Sequence, residues 1–232
     1  MHLGFYESQF FTGAVETFNL QDVPQSSIKN GTERTVFLLP AENKIIGIEH
    51  KTKSEEYMQM YFDVANMLNI MLPNSFPQVF ESENKIGKGD TGKYSQVQAE
   101  LVTGKFPEDD DPKYKSAIRR VESELQKIGY KQYLWLDPHP KNWMWDGQDL
   151  VYLDKPQVAT SGFWDIYTEE GETIGNYKFL FQERKSKGND GKNVFDEEVL
   201  RSHLSTFSEE KRKKVLELYE DYKKNLQIVS SR

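Results

Sequence analysis

Apolar residues recur along this chain in two rhythms, and the places where the rhythm changes mark its elements. Thr35-Val-Phe-Leu-Leu39 and Lys44-Ile-Ile-Gly-Ile48 are rich in β-branched and aromatic residues, and the polar break Pro40-Ala-Glu-Asn43 between them predicts a hairpin. Ser54 followed by Glu55 and Glu56 opens a helix, with Tyr57, Met60, Tyr61, Val64, Leu68 and Met71 as its apolar stripe and Pro73 as its stop. Pro77-Gln-Val-Phe80 and the alternating stretch from Tyr94 to Val102 predict further strands. Asp111-Pro112 is a helix start with proline in the first turn, Tyr114, Ile118, Val121, Leu125 and Ile128 mark one face, and Gly129 ends it. Asp196 opens a short helix through Leu204, and Ser208 opens a longer one carrying Val215, Leu218, Tyr219, Tyr222 and Leu226. The tail helix is expected to pack within its own chain, which predicts a monomer. No internal repeat or low-complexity tract interrupts this order. Strands first and helices afterwards predict an α+β protein of two lobes.

Composition narrows the chemistry. At 232 residues the chain suits one large domain or two small lobes. It has no Cys, which excludes disulfides and thiolate metal sites and fits a reducing compartment. His2, His50, His139 and His203 are scattered without metal-ligand spacing, so any metal should sit on oxygen. A net charge of −7 argues against nucleic-acid binding, and the basic stretch from Arg184 to Lys192 reads as a solvated connection. The start carries no basic segment followed by an apolar one, and no run approaches a membrane span, so a cytoplasmic protein is expected, or one delivered into a host cytosol if it is an effector. The acids from Glu108 to Asp111 precede a helix, where its dipole favours them.

The candidate chemistry lies between residues 137 and 154. Asp137-Pro-His139-Pro-Lys141-Asn142 is followed by a turn at Asp146-Gly147 and by the apolar run Leu150-Val-Tyr-Leu153, which ends on Asp154. Such residues also make ordinary turns. Here apolar flanks, Tyr133 to Leu136 before and Trp143-Met-Trp145 after, set the polar groups at the edge of a core. One acid to take the proton of an attacking hydroxyl, with an Asn and a second acid to hold Mg²⁺ against phosphates, is what phosphoryl transfer needs.

With these residues placed, the chain resembles the protein-kinase-like superfamily, which includes the aminoglycoside and choline phosphotransferases. Ile28 to Phe37, around Gly31, is similar to a degenerate Gly-rich loop running into a strand. Val97 to Gly104 is similar to the strand that leads into an adenine-binding hinge, Asp137 to Asn142 to the catalytic loop, and Leu150 to Pro156 to the metal-binding strand end. The resemblance implies a two-lobed kinase-like fold. Residues 1–103 would form a small β-rich nucleotide-binding lobe with one helix, and 104–232 a reduced, mostly helical lobe with the catalytic loop. It implies ATP and Mg²⁺ as cofactors, Asp137 as catalytic base, Asn142 and Asp154 as metal ligands, and Gly31 as part of the phosphate-covering loop. Glu100 and Val102 would meet adenine through main-chain groups. His139 would orient the loop, and Lys141 would approach the phosphate or face solvent.

The likeness also has departures. Trp135-Leu136 stands where many protein kinases have His-Arg, so control through a phosphorylated activation loop is not expected. Lys51 is taken as the phosphate-binding lysine, with Lys44 and Lys53 as competitors; alignment on the hairpin alone puts Gly47 near that position. Asp63 is preferred over Glu56 as its acidic partner, since Glu56 already suits the first helical turn. The short stretch after Asp154 favours a protein Ser or Thr as acceptor. The acidic surface keeps a cationic small molecule such as an aminoglycoside as an alternative, and the eroded Gly-rich loop keeps a pseudokinase or nucleotide-binding module as another.

Overall fold

A computed structural model describes residues 28–30, 34–86, 93–108, 110–132, 136–159, 164–165, 182–183 and 193–231. Gly31, the flanking residues Tyr133 to Trp135 and the basic stretch from Arg184 to Lys192 lie outside them. The described residues form a mixed α+β structure with a five-stranded antiparallel sheet and four α-helices. They fall into two compact units, one drawn from residues Met1–Phe62 and Gln78–Leu101, the other from Asp63–Pro77 and Val102–Arg232. No helix among the described residues is long and apolar enough to cross a membrane.

In the first unit, β1 (Ile28–Asn30), β2 (Arg34–Leu39), β3 (Lys44–Glu49), β4 (Val79–Ile86) and β5 (Lys93–Glu100) make a sheet in the order β1-β2-β3-β5-β4. The predicted turn between β2 and β3 is a 3₁₀ turn, Pro40–Glu42, closed by Asn43 at φ 53°. Asn tolerates that left-handed conformation better than most residues, so the turn sets the register, pairing Leu39 with Lys44 and Phe37 with Ile46. Alternation then puts Phe37, Ile46, Ile48 and Tyr94 into one apolar cluster on one face.

Helix α1 (Glu55–Met71) is buried more widely than a single stripe requires. Met58 and Met67 are buried besides Met60, Tyr61, Val64, Leu68 and Met71, and so are the polar Asp63 and Asn66. An apolar stripe read from sequence finds most of the first set; the burial of two polar positions is not legible in it.

In the second unit, α2 (Pro112–Lys127) starts at Asp111, whose side chain accepts from Lys113 N, and buries Tyr114, Ala117, Ile118, Val121 and Leu125. Its end is a Schellman arrangement, with Tyr130 N bonded to Leu125 O at 2.9 Å and Gly129 N to Gln126 O at 3.0 Å. Gly129 has φ +76°, and a Cβ there would lie 2.9 Å from Asp196 O. The chain beyond it pairs with 194–196, through Lys131 N to Val194 O and Asp196 N to Gly129 O. Two helices follow, α3 (Glu197–Leu204) and the longer α4 (Glu209–Ser230). Trp164–Asp165 and Gln182–Glu183 form a separate two-residue ladder.

Phe195 is the hub of the C-terminal packing. Its ring meets those of Tyr130 at 5.4 Å, Tyr219 at 6.1 Å and Tyr222 at 6.2 Å. The phenols stay satisfied, since Val194 N donates to Tyr222 Oη and Asn193 Nδ2 to Tyr219 Oη. Burial pushes the Tyr222 phenol well above its usual range.

Two outcomes are expected from this packing. Gly129→Ala forces a side chain into left-handed backbone against Asp196 O. It should lower stability by about 2 kcal/mol in a urea melt, counting roughly 1 for the conformation and the rest for displacement. Glu122, half-buried on α2, has its carboxyl raised by burial, partly offset by Arg119. A raised folded-state pKa leaves stability intact below the ordinary carboxylate range and removes some as pH climbs through the shifted value. Glu122→Gln should therefore raise the melting temperature at pH 7, and the gain should vanish near pH ~3.5, where the carboxyl is protonated in both states.

Candidate active site

The segment that carries the candidate chemistry is a hairpin of two very short strands, β6 (Trp143–Trp145) and β7 (Leu150–Tyr152). Trp143 pairs with Tyr152 and Trp145 with Leu150. Both partners of the first rung are buried, and their rings meet at 4.8 Å. Three-residue strands are weak by themselves, so side-chain burial has to hold the pair.

Its turn is chemically specified. Asp146 Oδ1 accepts from the amides of Gln148 and Asp149, each at 2.8 Å, and Gly147 takes φ +107°. Asp149 in turn receives Arg120 of α2 at 2.6 Å and the Asn74 amide at 3.1 Å. These two acids therefore serve the turn and its anchoring.

A third strand-like segment lies along β6. Lys105 and Trp145 exchange both main-chain bonds, at 3.0 and 2.8 Å. Gly104 comes so close that a Cβ would sit 1.8 Å from Trp145 O, so only glycine fits.

At the other end of the hairpin the polar residues gather. Leu153 N donates to Asn142 O at 2.7 Å, which continues the ladder one step and sets Asp154 next to the residue that faces Asn142. Asp137 is tied to the same end twice: its carbonyl accepts from the Trp143 indole at 2.9 Å, and its amide donates to Tyr152 Oη at 3.4 Å. Asp137, Asn142 and Asp154 are thereby brought to one end of one hairpin. Asp137 and Asp154 are exposed and Asn142 is half-buried.

The loop between Asp137 and Asn142 is held by its own side chains. Asp137 Oδ1 accepts from His139 N at 2.9 Å, and His139 Nδ1 accepts from Lys141 N at 3.2 Å. Pro140 starts a 3₁₀ turn, Pro140–Asn142, closed by Asn142 N to His139 O at 2.8 Å. Tyr114 Oη donates to Pro138 O at 2.5 Å and links the loop to α2. Both prolines thus lie where a fixed φ stiffens the loop. His139 caps the turn, while Lys141 is exposed.

Among the described residues no group of three or more His, Asp or Glu side chains is arranged to hold a metal. Asn142 and Asp154, set one residue apart across the hairpin by the main-chain register, both carry side-chain oxygens. That suits Mg²⁺, which takes one or two protein oxygens and completes its shell with water and phosphate.

The remaining predicted site residues lie on several elements. Lys51 is exposed in a bend beyond β3, and Glu100 pairs with Lys44 at the opposite end of that strand. The competitors are engaged: Lys44 lies 3.7 Å from Glu42, and Lys53 Nζ lies over the Tyr57 ring at 5.5 Å. Glu100 N donates to Gln78 O and Leu101 N to Asn43 O. Val102 is half-buried just past β5, Asp63 is fully buried in α1, and Glu56 is half-buried in its first turn.

Sequence reasoning misses the residues that hold the loop. Trp143, Tyr152 and Tyr114 figure in the pattern only as apolar flanks or helix stripe. Their signal is an aromatic ring that carries a polar atom, which suits a position needing both burial and a bond. Gly104 ends a strand in the sequence pattern, and its close approach to Trp145 is visible only in the fold.

No family model matches the chain, and no curated protein matches it.

Trp143→Phe keeps an aromatic ring and removes the indole donor to Asp137 O. Loss of about 2 kcal/mol or more in a denaturant melt is expected, roughly 1 for the hydrogen bond and the rest for the space the smaller ring leaves in the core. An unchanged melt would show that the indole does not hold the loop.

Proposed function

We propose that the chain is an ATP- and Mg²⁺-dependent phosphotransferase acting on a hydroxyl, most simply a Ser or Thr of a protein. The observation that carries this reading is the single rung from Leu153 N to Asn142 O. It sets the residue before Asp154 opposite Asn142, and the main chain of Asp137 is tied to the same end of the hairpin through Trp143 and Tyr152.

The order of elements supports the finer reading of a two-lobed kinase-like fold. Three antiparallel strands precede a helix, two more strands follow, and the chain then leads to the Asp137 loop, the order the family resemblance implies. In this reading Asp137 orients the acceptor oxygen and takes its proton, while Asn142 and Asp154 hold Mg²⁺. The metal, when bound, neutralises charge on the phosphates. His139 keeps the Asp137 carboxylate in place through the loop's own hydrogen bonds. ATP would meet Glu100 and Val102 through main-chain groups, as the resemblance implies.

A second reading, a nucleotide-binding module without turnover, is favoured by the exposed place of Lys51 beyond the sheet. A cationic small molecule as acceptor is the alternative within the first reading, on the net charge of −7.

Incubation with ATP labelled at the γ position and a lysate, followed by mass spectrometry, should reveal transfer to proteins. Label carried from the α position would indicate transfer of AMP instead. Asp137→Ala and Asp154→Ala should each lower transfer by about 10²-fold or more while circular dichroism shows the fold intact, since both side chains are exposed. Full activity in Asp154→Ala would overturn the metal assignment, and absence of any transfer by the parent chain would favour the binding module.

A further inference from the structure

The sheet of the first unit carries a charge pair where an apolar pair would serve its packing. Arg34 and Glu49 are partners in the β2–β3 register, and Arg34 Nε lies 3.7 Å from Glu49 Oε1. Only 12% of the Arg34 side chain and 2% of the Glu49 side chain is exposed. Taking both charges out of water is costly, and well-packed apolar residues in their place are often neutral or stabilising. A buried pair of this kind asks for a use.

Alternation decides which face it occupies. Val36 pairs with Gly47, Gly47 with Val97, and Val97 with Ser82, so Arg34, Val36, Gly47, Glu49, Val97 and Ser82 share one side of the sheet. The cluster of Phe37, Ile46, Ile48 and Tyr94 is on the other. Ser82 Oγ donates to Met58 O at 2.8 Å, which identifies the first side as the one that faces the opening turns of α1.

Gly47 gives Arg34 its path. A Cβ at position 47 would lie 3.3 Å from Arg34 Cδ and 3.5 Å from Nη1, so the arginine stem crosses β3 over the one residue that has no side chain. Its guanidinium is held at a strand, backed by a carboxylate. Lys51, by contrast, is exposed and lies two residues beyond the end of the ladder, outside the alternation that selects a face. A planar guanidinium matches phosphate oxygens in a fixed fork, whereas an exposed ammonium on a flexible stem keeps its water.

We propose that Arg34, oriented by Glu49 and admitted by Gly47, is the cation that binds the phosphates of the nucleotide, in place of Lys51. The inference rests on the phosphotransferase reading and changes its residue for phosphate binding. Glu49 acts through Arg34 as a positioning residue.

Titration calorimetry of the full chain with ATP and with adenosine tests it, because the difference between the two ligands isolates the phosphates. Lys51→Ala should bind ATP within about twofold of the parent. The double variant Arg34→Met, Glu49→Gln removes both charges together, and it should bind ATP at least tenfold more weakly with adenosine unchanged. Arg34→Lys keeps the charge and loses the fork; it should weaken ATP about threefold and serves the comparison if circular dichroism shows the double variant unfolded. ATP binding at parental strength in either Arg34 variant, or a tenfold loss in Lys51→Ala, would overturn the assignment. A parent chain that binds neither ligand would overturn the phosphotransferase reading itself, and the role of Arg34 with it.

Discussion

The candidate site depends on the buried rung between Trp143 and Tyr152. Neither strand of that hairpin is long enough to be stable through its main-chain bonds alone. The two rings, packed at 4.8 Å with Phe76 against Tyr152, supply the missing stability through burial, and their polar atoms then serve the loop. The Trp143 indole takes the carbonyl of Asp137, and Tyr152 Oη takes its amide. One aromatic pair thus closes the ladder and fixes the backbone of the acid that precedes it by several residues. The rest is added to this frame: Tyr114 fastens Pro138, and Tyr152 N donates to Ser75 O at 2.9 Å.

That construction explains how exposed carboxylates can be rigidly placed. Asp137 and Asp154 are exposed, and their backbones are held by buried neighbours one or two residues away. Water-facing acids on a stiff frame suit a cation that keeps much of its water. Asp146 and Asp149 sit at the opposite end and stabilise the turn. Acidic residues of one hairpin are divided by position into those that shape its turn and those that face solvent at its open end.

Much of this was legible in the sequence because it rests on local chemistry. The Pro40–Asn43 break, the Asp111-Pro112 start, the Gly129 stop and the turn at Asp146-Gly147 are all where short-range rules put them. The order of Asp137, Asn142 and Asp154 was legible too, since the apolar run between them predicted a strand. What short-range rules miss is whatever a distant partner decides. Gly104 is glycine because Trp145 approaches its backbone, and Asp63 is buried although mid-helix polar residues usually face water. Arg34 falls in the same class. In the sequence it is one charge in a strand whose neighbours Thr35 to Leu39 suggest ordinary alternation, and only the cross-strand register sets it against Glu49 and over Gly47.

A sheet position for the phosphate cation also has a physical advantage over a loop position. A lysine in a bend must lose rotamer freedom when it meets phosphate, a cost on the order of 1 to 2 kcal/mol. Arg34 has lost most of that freedom on folding, because its stem is confined over Gly47 and its head is drawn to Glu49. The ordering cost then falls on folding, where the apolar cluster on the reverse face of the same strands can offset it. On the proposed role of Arg34, the ordering cost borne on folding leaves the phosphates a cation already in place.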